Sequence, residues 1–169
     1  MFRTFFLISF FLHFFYCFSQ DYDVSYYNLK LDIDIESKFI SGSNQMYFQT
    51  LGLSDSIKVD LSNSFTVDSI LFLAQKCIFN HQDDLITINF NESLIEKENY
   101  SLKIFYSGKP VIATNPPWNG GFVWKKDENK KDWVGVACQG DGASLWWPNH
   151  DVLYDEPDSV QVSLVVPSN

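Results

Sequence analysis

The chain has 169 residues, 46% of them hydrophobic and 17% aromatic, enough for one domain with a packed core and too few for two of ordinary size. Twelve Lys and Arg stand against 21 Asp and Glu, a net charge of −9, which argues against nucleic-acid binding because phosphate contacts need clustered cations. The one basic cluster, Lys125, Lys126, Lys130 and Lys131, is broken by Asp127, Glu128 and Asp132 and reads as a solvated turn.

The first residues, MFRTFFLISFFLHFFYCFSQ, carry one cation at Arg3, an apolar run from Phe5 to Phe18 and a small residue, Ser19, before polar Gln20. This grammar predicts a signal peptide over residues 1–19 and an exported, periplasmic or secreted, protein. A membrane anchor is the competing reading. The run, interrupted by Ser9 and His13, falls short of the roughly 20 residues of a spanning helix, so no stable membrane span is expected after cleavage. A lipoprotein site at Cys17 is a minor alternative, because HFFY before it lacks the small and aliphatic residues of such sites. Two cysteines then remain, Cys77 and Cys138. Export would place them where a disulfide can form, but nothing in the sequence requires that they meet.

From residue 20 to 169 the pattern is that of one all-β domain. Between Tyr27 and Ile35 the odd positions read Tyr, Leu, Leu, Ile, Ile and the even ones Asn, Lys, Asp, Asp, the two-residue period of a half-buried strand. A second run, Ile40 to Phe48, forms a hairpin with it. Strands follow at Ile57 to Leu61, Val67 to Leu73, Cys77 to Phe79, Leu85 to Phe90, Tyr100 to Tyr106 and Val160 to Val166, with NHQDD, NESLIEKEN and SGKP as turns. No helical period runs for ten residues. The expected fold is an antiparallel β-sandwich or saddle-like sheet.

Lys109 to Asp155 breaks this rhythm with NPPWNGGFVW, the turn KKDENKKD, a short strand WVGVA and then ACQGDGASLWWPNHD. All five tryptophans fall in it, so it is expected to be a long, ordered, Trp-rich loop whose Trp146 and Trp147 pack against a sheet or a partner. Its chemistry is sparse. His81 and His150 are far apart with no His-Glu-x-x-His, and His150 beside Asp151 reads as loop polarity, so no metal site is expected. Ser144 lacks a Gly-x-Ser-x-Gly elbow, Cys138 has no basic neighbour, and no lysine completes a phosphate loop, so no catalytic residue is assigned.

SGKP, NPPWNGGFVW, WVGVACQGDGASLWWP and DEPDSVQVSLVVP together resemble the N-terminal domain of the aminopeptidase N family of zinc metallopeptidases, the gluzincins that include leukotriene hydrolase. The resemblance runs from Tyr22 to the last residue. It implies a saddle-like β domain that precedes a thermolysin-like catalytic domain, and a loop that enters the catalytic cleft to help hold the free amino terminus of a peptide. The position matching that loop is Gln139; Asp141, the next acid, would add negative potential near the amine. The family's Gly-x-Met-x-Asn and His-Glu-x-x-His motifs occur nowhere in the chain. The resemblance therefore implies a truncated domain without cofactor, inactive alone, whose zinc belongs to an absent catalytic partner domain. From another class, a stand-alone secreted β-sandwich that binds through its Trp-rich loop fits the same residues.

Overall fold

The computed structural model describes residues 21–167; the expected signal segment lies outside them. Among the described residues there is no α-helix, and no helix long and apolar enough to cross a membrane. Eleven strands form three sheets. The largest has six, in the order β11 (Ser159–Val165), β1 (Tyr22–Asp34), β2 (Phe39–Thr50), β8 (Asn99–Gly108), β4 (Phe65–Phe72) and β5 (Gln75–Lys76). A second has three, β3 (Ser54–Asp60), β7 (Leu85–Leu94) and β6 (Ile78–Gln82), and β9 (Gly121–Lys126) with β10 (Asp132–Ala137) makes a two-stranded ribbon. Neighbours are antiparallel except β11, which runs parallel to β1.

The alternation read from the sequence is the alternation of burial. Leu29, Leu31, Ile40, Met46, Phe48, Leu102, Ile104 and Tyr106 lie on one face of the large sheet, and Ile57, Val59, Ile86 and Ile88 of the three-stranded sheet join them in a single core. Side chains two apart share a face, so each sheet offers one apolar surface, and stacking the two removes both from water. Phe122 and Trp147 extend this core into the long loop segment.

β1 begins five residues before the period is visible in the sequence. Its register against β2 shifts between Val24 and Tyr26, a bulge that moves the buried set from even positions, Tyr22 and Val24, to odd ones, Tyr27 to Ile33. β7 outruns its expected end at Phe90. Asn91 to Ser93 look like turn residues, yet the strand continues to Leu94, which is buried and pairs with Ser54 across a second irregularity. The expected turn NHQDD shrinks to two residues: Asn80, His81 and Gln82 belong to β6, and Asp83 and Asp84, at φ 53° and 60°, make a tight hairpin of the kind that matches strand twist. The expected Cys77 to Phe79 strand becomes β6, with Cys77 between it and β5.

Candidate functional site

The Trp-rich segment is held to the body of the domain from both sides. Asp60 and Asn149 exchange backbone hydrogen bonds of 2.8 and 3.1 Å, tying the segment to the end of β3. The Asn44 side-chain amide donates to the Pro148 carbonyl at 2.8 Å, Tyr106 Oη to the Trp146 carbonyl at 3.2 Å, and the Ser62 N–H to the Ser144 carbonyl at 2.9 Å. Trp147 is buried with its ring edge-on to Tyr27 at 4.8 Å, and Trp146 meets Phe122 at 6.1 Å. The Trp-Trp pair is thus packing, as its area predicts. The exposed tryptophans are Trp118 and Trp133, at 76% and 51%.

From this anchored base the chain makes a tight turn. The Gly142 N–H donates to the Cys138 carbonyl at 3.0 Å, with Gly140 and Gly142 at φ 93° and 86°, backbone that residues with a Cβ rarely adopt. Two carboxylates fix it. Asp141 Oδ2 accepts the Gly120 N–H at 2.5 Å, which joins the turn to the NPPWNGG segment, and Asp151 Oδ2 accepts the Ser144 N–H at 3.0 Å. Asp151 is itself placed by donating its N–H to Asp60 Oδ2 at 3.0 Å. Gln139 sits exposed in this turn, and among the described residues its side-chain amide has no hydrogen-bond partner. Gln139 and Asp141 are therefore brought together. The amide is free to meet a ligand, whereas one oxygen of Asp141 is occupied by Gly120.

Behind the turn lies a group that sequence reasoning missed. His150 does not pair with its neighbour Asp151; its Nδ1 meets Asp155 Oδ2 at 2.6 Å, and the Asp155 side chain is only 1% exposed. Asp155 also accepts the Val24 N–H, 3.3 Å from each oxygen, and the His150 ring stacks on Tyr22 with centroids 4.4 Å apart. The His150 N–H donates to Tyr27 Oη at 2.9 Å, and Tyr22 donates to the Lys58 carbonyl. Burial pushes both phenols up, Tyr22 well above its ordinary value, so both remain neutral, Tyr22 as a donor and Tyr27 as an acceptor. Asp60 is also raised, chiefly by burial, against the lowering effect of the Asp151 N–H. This network clamps residues 149–155 to β1 and β3. No local signal announces it, because Asp155 stands in DEPD, which reads as a surface loop.

The side chains present do not suit zinc. Among the described residues no three His, Cys, Asp or Glu come together as a ligand set. His81 Nε2 lies 2.9 Å from the Leu61 carbonyl, and the Nδ1 of His150 is taken by Asp155. Cys77 and Cys138 are both free thiols, half-buried, so the disulfide that export would permit is not formed; burial raises the Cys77 thiol.

No protein-family profile and no curated protein matches this sequence. Solved structures do match its fold. A two-domain M1 zinc metallopeptidase bound to L-arginine superposes with a TM-score of 0.65 and 17% identity over 86% of this chain and 33% of its own. An M1 zinc metallopeptidase from Deinococcus radiodurans bound to a Tyr-Ser-Ala substrate gives 0.64, 17%, 86% and 32%. Yeast LTA4 hydrolase in complex with bestatin gives 0.67, 19%, 85% and 23%. The fold is one found within M1 zinc metallopeptidases. The resemblance drawn from the motifs is met at that level, and the chain spans a third or less of the M1 proteins it matches.

Proposed function

We propose that this chain is the N-terminal β domain of an exported zinc aminopeptidase and that Gln139 helps to hold the free amino terminus of the peptide substrate. The observation that carries the reading is the Gln139 turn: an exposed neutral acceptor with no partner among the described residues, on a backbone fixed by Asp141 at one side and Asp151 at the other. The shared M1 fold supports it. Zinc chemistry would come from a part of the enzyme outside this chain.

An ammonium group has three donors, and the Gln139 amide oxygen accepts one without adding charge. The free oxygen of Asp141 adds negative potential to the same side of the turn. Because the turn is anchored before substrate arrives, little ordering is needed on binding, which is how a fixed loop turns one hydrogen bond into selectivity for free amino termini. By itself the chain should not hydrolyse aminoacyl chromogenic substrates with zinc added; turnover abolished by a chelator would refute the reading. In a longer enzyme that carries this domain, Gln139→Ala should remove a charge-assisted bond of about 1.5–3 kcal/mol, roughly tenfold to a hundredfold in kcat/KM. The loss should fall on peptides with a free amino terminus. An equal loss on blocked peptides would reduce Gln139 to a loop-shaping residue.

Trp118 and Trp133, largely exposed, favour a second reading, a secreted module that binds by aromatic stacking. A downstream reading frame with His-Glu-x-x-His decides for the first; a stop codon followed by no such frame decides for the second.

A further inference from the structure

We propose that Asn119 is a self-modifying residue: with Asp141 as general base it cyclises onto the Gly120 nitrogen and opens to aspartate and isoaspartate, and the change unties the Gln139 turn from residues 115–120. The chemistry belongs to this chain alone and does not depend on the peptidase reading.

A side-chain amide next to glycine can form a five-membered imide with the following backbone nitrogen, provided that nitrogen gives up its proton as it attacks. Asn119 is exposed, and among the described residues its side-chain amide has no hydrogen-bond partner. The attacking nitrogen is held where a base can act on it: the Gly120 N–H donates to Asp141 Oδ2 at 2.5 Å. A Cβ at Gly120 would fall 2.6 Å from that oxygen and 2.5 Å from Leu145 Cδ1, so glycine is what lets the carboxylate come so close.

Both flanks of the junction are fixed. The Trp118 and Asn119 N–H groups donate to the Asn115 carbonyl at 2.9 and 3.0 Å, and the Phe122 N–H donates to the Val111 carbonyl at 2.7 Å. The reacting groups therefore lie on one short stretch with its base already in contact, and only the Asn119 side chain has to turn.

The step balances without any other reactant until water enters. Gly120 N bonds to Asn119 Cγ as Asp141 Oδ2 takes the N–H proton; the Cγ–Nδ2 bond then breaks, and Asp141 returns that proton to the leaving nitrogen, which departs as ammonia. Nothing is oxidised or reduced. Water opens the imide at either carbonyl, giving aspartate at one and isoaspartate, with a backbone one carbon longer, at the other. In the imide Gly120 has no N–H, so the bond that joins Asp141 to the NPPWNGG segment is gone.

The sequence holds one comparable junction, Asp141–Gly142. There the Gly142 N–H donates to the Cys138 carbonyl at 3.0 Å, an acceptor that cannot take up a proton, so this junction should stay intact.

The test incubates the full chain at neutral pH, folded and in guanidinium chloride, and follows both junctions by peptide mass spectrometry, reading first the loss of ammonia and then the gain of water. The folded chain should convert at Asn119 about tenfold faster than the unfolded one, because only folding places the base. Asp141→Ala should remove that advantage, and Asn119→Gln should abolish conversion. Hydrogen exchange across 138–144 should rise in converted chain. Conversion no faster folded than unfolded, which is decisive even if Asp141→Ala fails to fold, would overturn the proposal. So would an Asp141→Ala chain that folds and converts as fast as the parent, equal isoaspartate at Asp141–Gly142, or unchanged exchange across 138–144 after conversion.

Discussion

Replacing Gly142 by alanine should cost about 3–5 kcal/mol, and the two sources of that cost can be separated. The residue has φ 86° and ψ 167°, a region held almost only by glycine, in which a Cβ costs about 1–3 kcal/mol. A Cβ built there also falls 2.0 Å from Asp151 Oδ2, far inside contact distance. The carboxylate must swing away, and the Ser144 N–H then loses an ionised acceptor, a further 1.5–3 kcal/mol or so. Against a total stability of about 5–15 kcal/mol this is a large fraction. Urea unfolding of the full chain, followed by the fluorescence of buried Trp147 and partly buried Trp146, measures it. Asp151→Ala alone should lose only the hydrogen bond, and the double variant should lose less than the sum of the singles, because the clash has gone while the backbone strain remains. Strict additivity, or an unchanged midpoint for Gly142→Ala, would refute the argument that Asp151 and Gly142 together set the Gln139 turn.

Asp155→Ala leaves the Val24 N–H and His150 Nδ1 without their buried partner and should lower stability by about 3–5 kcal/mol, with accelerated amide exchange at Val24. Asp60→Asn should act in the other direction at neutral pH. The raised folded-state value of Asp60 means that its ionisation opposes folding above that value, so the variant's gain should be present at pH 7 and vanish as pH falls below the ordinary aspartate range near 3.9; paired urea melts from pH 3 to 7 check it. Ala74→Gly, at φ 64° in the exposed two-residue turn between β4 and β5, should raise stability by roughly 0.5–1 kcal/mol in thermal unfolding.

What could be read from the sequence was whatever depends on near neighbours. The two-residue period of β1 and β2 and the packing role of Trp146 and Trp147 follow from local pattern and side-chain area, and the structure agrees, whereas each expected turn is shorter than its polar residues suggest because the flanking strands run into it. The start of β1 was hidden because a bulge at Ser25 inverts the parity that makes a strand visible. β9 was hidden by its glycines, which read as loop, although the strand they open carries Phe122 into the core. β11 was visible as a strand, but its parallel partner lies more than 130 residues earlier, and no local pattern distinguishes that from a hairpin. The Gln139 turn was singled out by motif alone. The carboxylates that fix it, Asp141 and Asp151, and the burial of Asp155 are long-range consequences of packing, which alternation and turn propensity do not encode.

The pairing of β1 with β11 also sets an order of events in folding. β1 can close on β2 as soon as the first fifty residues are available, but its other edge stays open until Ser159 to Val165 arrive, and a parallel neighbour so distant in sequence comes at a high loop-closure cost. During that interval Tyr26, Asn28 and Lys30 present an unpaired strand edge to solvent. For a chain made from its amino terminus, the sheet is closed last where it was begun first, and the slowest, most aggregation-exposed step waits for Ser159 to Val165, an interval in which a holding factor would do most good.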